Sequence, residues 1–136
     1  MTTSLRLADF TILIVDDDLI NRVILKELLE ELKLPIEEAK NGEEALQIMI
    51  RLKNKPVILL LDLNMPLLDG YEVIKVMSND RDVYKKIKTI VVSGSLRSTF
   101  EKTGLSSHIT SYIEKPFDSD VLIQHIKNAA SDGLDN

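Results

Sequence analysis

Val57-Ile58-Leu59-Leu60-Leu61-Asp62-Leu63-Asn64-Met65-Pro66-Leu67-Leu68-Asp69-Gly70 is the stretch on which the fold turns. Its five opening apolar residues leave no polar face, the pattern of a strand buried on both sides in the middle of a parallel sheet. The run stops at a carboxylate, Asp62, and Pro66, Asp69 and Gly70 then punctuate a loop. Two more apolar runs behave alike: Ile12-Leu13-Ile14-Val15 stops at Asp16 and Asp17, and Tyr112-Ile113 leads to Lys115, directly before Pro116. As parallel strands of one sheet, these runs would deliver all four charged side chains to the carboxyl edge, where open α/β sheets bind ligands.

Three clustered carboxylates repel one another, and a hard divalent cation with oxygen ligands, such as Mg²⁺, relieves the repulsion. A lysine beside them offers a positive point charge to an incoming anion. Carboxylate, cation and lysine together suit the transfer of a phosphoryl group to an aspartate.

Working outward, residues 1–10 read as a loose lead-in and 11–15 as a buried strand. Residues 19–33 read as a helix with Ile20, Ile24, Leu28 and Leu32 on its inner face and Asp18 as N-cap. Pro35 through Ala39 reads as an edge strand, Asn41-Gly42 as a turn, and Glu43 to Lys53 as a helix turning Ala45, Leu46, Met49 and Ile50 inward. After the strand 57–61 and the loop 62–69, Gly70 to Met77 reads as a third helix, and 78–86 as the longest connection. Ile87 to Val92 is a fourth strand, Arg97 to Lys102 opens a fourth helix weakened by Gly104, Ser106 and Ser107, Thr110 to Ile113 is a fifth strand, and Asp118 to Ala130 closes the chain with Leu122, Ile126 and Ala129 inward. The expectation is an α/β, doubly wound, five-stranded parallel sheet with five helices.

A length of 136 residues predicts one domain, 1–136, with a core of about 11–130 and frayed ends at 1–10 and 131–136. The absence of cysteine excludes disulfides and thiolate metal sites, and fits a reducing, cytoplasmic compartment. No apolar stretch approaches the roughly 20 residues of a membrane helix, and the start lacks the apolar segment of a signal peptide. A net charge of −5 and only three tyrosines and three phenylalanines argue against direct nucleic-acid binding.

The motifs Ile12-Leu13-Ile14-Val15-Asp16-Asp17, Leu61-Asp62-Leu63-Asn64-Met65-Pro66-Leu67-Leu68-Asp69-Gly70, Val91-Val92-Ser93-Gly94-Ser95 and Tyr112-Ile113-Glu114-Lys115-Pro116-Phe117 resemble, in this order, the receiver domain of two-component response regulators. The resemblance runs from about Thr11 to about Ala130 and implies a flavodoxin-like strand order, 2-1-3-4-5, an order used for a chemotaxis receiver protein. It implies Asp62 as phosphoacceptor, with Lys115 pairing with it at rest and with a phosphate oxygen afterwards, and a cis Lys115–Pro116 bond. Asp16, Asp17, Asp62 and the backbone carbonyl of Asn64 would hold Mg²⁺, for which Mn²⁺ can substitute. Ser93 would bond the phosphoryl group, Gly94 would leave room for the donor, and Tyr112 would turn inward as the switch. Gly70 would need permissive backbone angles.

The implied function is a phosphorelay receiver: phosphoryl comes from a histidine kinase or histidine phosphotransfer protein, and the output is a downstream protein target or an attached domain. Such a domain catalyses its own phosphorylation and dephosphorylation but is not a turnover enzyme. Ser111 departs from the glycine frequent before the switch position, and His108 and His125 read as surface residues. The Asn21-Arg22 pair resembles receivers of hybrid kinases, whereas Met1 and the polar tail fit a complete small regulator. Two rival readings exist. A haloacid dehalogenase-type phosphohydrolase would use Asp16-Asp17-Asp18 but needs an acidic pair on a strand after its lysine, where only one helix follows. A phosphorylation-independent interaction module would not need the acidic triad, Ser93 and Lys115.

Overall fold

The computed structural model describes residues 5–132. Five strands, β1 (Thr11–Val15), β2 (Ile36–Ala39), β3 (Val57–Leu61), β4 (Ile87–Ser93) and β5 (Ser111–Glu114), form one parallel sheet in the order β2-β1-β3-β4-β5. The expected strand order and doubly wound architecture are therefore present. Val57 to Leu61 lies in the middle, fully buried along its length, as an unbroken aliphatic run requires.

Alternate strand residues feed two cores. Leu13, Val15, Leu59, Leu61, Val91 and Tyr112 face α2 (Gly42–Arg51) and α3 (Gly70–Ser78). Ile12, Ile14, Ile58, Leu60, Ile90, Val92 and Ile113 face α1 (Leu19–Leu29) and α6 (Ser119–Asp132). Leu122, Ile126 and Ala129 are fully buried, as their spacing predicts. Each such aliphatic side chain contributes roughly 1.5–3 kcal/mol by leaving water.

The described residues hold six α-helices rather than five. The extra one, α4 (Arg81–Tyr84), lies in the segment expected to be the longest connection, where burial of Tyr84 beside Val83 and Ile87 gives polar sequence a hydrophobic anchor. The helix after β4, α5 (Arg97–Glu101), is short and breaks before Gly104, as its composition foretells.

Three inward faces differ from expectation. Leu25 and Leu29 are the buried residues of α1, with Leu28 and Leu32 packed partly against them, while Ile20 and Ile24 point outward. A four-residue spacing drifts around a helix of 3.6 residues per turn, so Ile20 and Leu32 cannot share one stripe. Ile50 of α2 is exposed, the inward positions being Ala45 and Met49 with Leu46 partly buried. The lead-in is not loose over its described part. A 3₁₀ turn at Leu7–Asp9 precedes the buried Phe10, and Leu5 and Leu7 pack on the core beneath α6. Ser131 and Asp132 continue α6, and the predicted fraying of 1–4 and 133–136 lies outside the described residues.

Candidate functional site

Val15 and Leu61 are register partners in the two central strands, so Asp16 and Asp62 leave the sheet side by side. The Asp62 N–H donates to the Val15 carbonyl at 3.0 Å. Asp16 is buried, Asp17 exposed and Asp62 half-buried, and one oxygen from each carboxylate lies within 4.8 Å of the others. The strands thus bring together the three aspartates singled out by their position after apolar runs. The donor set is oxygen-only and partly buried, which fits a hard divalent cation better than any softer metal.

The turn after β1 holds Asp16 rigidly. The Asp18 N–H donates to Asp16 Oδ1 at 2.9 Å and Asn21 Nδ2 to Oδ2 at 3.4 Å. Arg22 Nη1 donates to the Asp16 carbonyl at 2.7 Å while its Nε pairs with Glu38 at 3.1 Å, locking the turn to β2. Asp18 caps α1 as predicted, accepting from the Ile20 N–H at 2.8 Å.

Lys115 reaches the site, and the Lys115–Pro116 bond is cis as expected. Its partner is not the expected one. Nζ lies 3.3 Å from Asp16 Oδ2, making the ion pair with Asp16 rather than Asp62. Asp16 is the more deeply buried carboxylate and gains more from a counter-ion. Burial pushes the Asp62 carboxyl above the usual aspartate range, and the Asp16 charge adds to this, while Lys115 and the Asn64 and Leu63 N–H groups oppose it.

Ser93, Ser95 and Tyr112 form a hydrogen-bonded group joined to the loop after Asp62 through Asn64. Ser93, fully buried at the end of β4, accepts from the Ser95 N–H at 3.1 Å. Asn64 Nδ2 donates to Ser95 Oγ at 3.3 Å, and the Tyr112 hydroxyl donates to the Ser95 carbonyl at 2.7 Å. Ser95 therefore joins the loop after Asp62 to β4 and β5. Sequence reading gave it no role. The signal available was a second hydroxyl two residues after Ser93, on the far side of a glycine. A Cβ built on Gly94 meets nothing within 4 Å, so that side of the site is open.

Tyr112 is buried and turned inward, its ring 5.4 Å from that of Phe100. Packing on Phe100 and the bond to the Ser95 carbonyl hold it there. His125 is also not the plain surface residue expected. It is half-buried with Nδ1 2.9 Å from Ser111 Oγ, and burial, then the Arg97 charge, holds its pKa below the usual histidine value. Ser111, where the resemblance leads one to expect glycine, supplies the partner.

Gly70 has no left-handed backbone, contrary to expectation, because Gly104 is the positive-φ glycine among the described residues. Its requirement is space: an added Cβ would meet the Asp62 carbonyl oxygen and lie 2.7 Å from Leu63 Cα.

Residues 12–127 match the family model of the response regulator receiver domain. The chain belongs to this family. Among relatives, the receiver domain is 29% identical over 122 residues to the sensor histidine kinase CheAY of Helicobacter pylori, covering 90% of this chain and 15% of that protein. It is 33% identical over 116 residues to the transcriptional regulatory protein SrrA of Staphylococcus aureus, covering 85% of this chain and 46% of that protein. The chain thus spans less than half the length of these relatives. A solved relative is the response regulator protein TrrA of Thermotoga maritima in complex with Mg²⁺-BeF, at a TM-score of 0.75 and 33% identity, with 88% of this chain and 97% of that chain covered. Receiver domains are signal transducers of two-component systems, found in response regulators and in histidine kinases. Among the described residues no helix is long and apolar enough to cross a membrane.

Proposed function

We propose that residues 11–130 act as a single phosphoacceptor receiver in which Asp62 is the acceptor. The acidic cluster of Asp16, Asp17 and Asp62 carries this reading. An Asp62 oxygen forms a bond to phosphorus as the donor's P–N or P–O bond breaks, and the protein's part is positioning and charge stabilisation. Asp16, Asp17, Asp62 and the Asn64 backbone carbonyl would hold Mg²⁺, or Mn²⁺ in its place. The bound ion supplies positive charge against the carboxylates and the phosphoryl oxygens. Lys115 would exchange its hold on Asp16 for a phosphate oxygen. The reaction is the domain's own phosphorylation and dephosphorylation, not turnover of a separate metabolite. The donor is a histidine kinase or histidine phosphotransfer protein in the cytoplasm, and the recipient of the signal is a downstream protein or an attached domain rather than nucleic acid or membrane.

Asp17→Ala should weaken Mg²⁺ binding at least about tenfold, because a small hard cation relies on direct charged oxygens. Titration of wild type and variant with Mg²⁺ or Mn²⁺ checks it; equal affinities would move the metal elsewhere.

Ser93 is the proposed link to the output. A phosphoryl group on Asp62 would draw Ser93 Oγ away from the Ser95 N–H. That disturbs the turn whose carbonyl anchors Tyr112. The short α5 and the broken segment after it make rearrangement there inexpensive. Beryllofluoride binding with Mg²⁺ should change amide exchange mainly across 93–117 and little in α2. In Tyr112→Ala the mimic should still bind, while the change around 97–113 shrinks. Unchanged exchange across 93–117 with the mimic bound would favour the interaction-module reading.

A further inference from the structure

A cleft of about 380 Å³ opens at the amino edge of the sheet, at the opposite end of β4 from Ser93. Its size is that of a small-molecule site. Three segments meet there. Arg81 and Tyr84 come from α4 with Lys85 just after it, Lys88 from the start of β4, and His108 from the 3₁₀ turn Ser106–His108. The Thr110 N–H donates to the Thr89 carbonyl at 2.7 Å and ties the chain after that turn to the strand. No carboxylate lines the cleft. Asp80 and Asp82 are exposed and stand outside the lining, although burial and then the Asp80 charge raise the pKa of the Tyr84 hydroxyl. Elsewhere in this chain of net charge −5, Arg22, Lys26, Lys40, Arg51, Arg97 and Lys115 each pair with a carboxylate. Arg81, Lys85 and Lys88 make no ion pair among the described residues. One unpaired lysine is ordinary on a surface. Three cations around one cleft without a carboxylate repel one another, and an anion relieves that repulsion.

We infer that this cleft binds an organic phosphate of nucleotide size, and that a nucleoside diphosphate is the class it fits. Three cations on two elements suit a ligand that carries more than one anionic group. The fork of Arg81 can hold two phosphate oxygens, whereas Lys85 and Lys88 act as point charges. The same cleft is lined by Tyr84, Ile87 and Ile109, an apolar wall that inorganic phosphate would leave unused. An apolar lining with a few converging polar groups is the make-up of a site for a molecule with an organic body. The cleft lies at the edge of the sheet opposite Asp62, so this inference stands apart from the reading of Asp62 as acceptor.

The diphosphates of adenosine, guanosine, cytidine and uridine are titrated by calorimetry into the full chain, beside inorganic pyrophosphate and the free nucleosides. EDTA is present, which keeps metal off the acidic cluster. At least one nucleoside diphosphate is expected to bind saturably, about tenfold or more tighter than pyrophosphate or its own nucleoside. With it bound, amide exchange should slow across 81–89 and 106–110 and stay unchanged around Asp62. Arg81→Gln and Lys88→Gln should each weaken the binding about tenfold or more, the scale of a lost charge-assisted hydrogen bond. Lys53→Gln removes the same charge from an exposed lysine outside the cleft and should leave the affinity unchanged. Thermal midpoints without ligand should match wild type in all three variants. Because Arg81 and Lys88 stand on different elements, a folding defect in one variant leaves the other informative. Absence of saturable binding by all four diphosphates would overturn the inference. So would pyrophosphate binding as tightly as the best of them, or undiminished affinity in both Arg81→Gln and Lys88→Gln.

Discussion

Asp62→Asn, incubated with Mg²⁺ and acetyl phosphate, is expected to show no phosphoryl adduct by intact mass under conditions that label the wild type. The amide keeps the shape of the side chain but removes the nucleophilic oxygen and one charge of the metal cluster, so both the attack and its counter-ion fail together. An adduct of undiminished yield would place the acceptor elsewhere. The same variant should be more stable than wild type without metal. The Asp62 carboxyl is held above its usual range, first by burial and then by Asp16. A carboxyl with a raised pKa is protonated more readily folded than unfolded, so its ionisation destabilises the fold as pH rises through that raised value. At neutral pH the wild type carries this penalty and Asp62→Asn does not. The variant should gain roughly 1 kcal/mol, the scale common where function conflicts with stability. The gain should fade as pH falls through that raised value and be gone below about 4, the ordinary aspartate value. Saturating Mg²⁺ should narrow the gap by stabilising only the wild type. A variant less stable than wild type at neutral pH would mean that the carboxylate is better compensated than its surroundings indicate.

Gly70→Ala is expected to destabilise the domain by about 3 kcal/mol or more, at the upper end for overpacking, because the clash is with backbone and not with a side chain that can turn away. The added methyl would meet the Asp62 carbonyl and Leu63 Cα, which belong to the acceptor strand end itself. For a domain of this size the thermal midpoint should fall by on the order of 10 °C. Gly94→Ala is the contrast: with nothing near its Cβ it should leave the midpoint unchanged. If both variants melt with the wild type, the close approach at Gly70 is not a constraint on the folded state.

The sheet and its acidic edge were legible because their signals are local. An unbroken aliphatic run ending at a carboxylate, repeated along the chain, gives strand, sheet type and edge without any long-range knowledge. What escaped depended on contacts between distant segments. A four-residue spacing places Ile20, Ile24, Leu28 and Leu32 together on paper, but the helix turns them apart and leaves two outside. A polar segment such as 78–86 conceals a helix because one tyrosine finds burial against β4. The choice of Asp16 over Asp62 as partner for Lys115 follows from relative burial, which residue order does not state. Ser95 makes its contacts through a backbone N–H, a carbonyl and a hydroxyl, and only the hydroxyl is visible as a residue type. The inward Tyr112 likewise depends on Phe100, which stands on a helix too short for periodicity to orient.

The loop after Asp62 is pinned at both ends by main chain. The Gly70 N–H donates to the Leu63 carbonyl at 3.0 Å and the Gly42 N–H to the Leu68 carbonyl at 3.0 Å. Neither helix start has room for a side chain against it, since a Cβ on Gly42 would meet the Leu68 carbonyl and lie 2.8 Å from Val73. Two fixed fasteners make the exposed part of this span a matter of residue count more than residue kind. An inserted or deleted residue between 63 and 68 has nowhere to be absorbed, because both attachment points belong to helices packed into the core. Substitutions that keep the count leave those fasteners in place. Swapping this loop between proteins is therefore expected to succeed when lengths match and the buried Met65 is kept, and to fail by a single residue's difference.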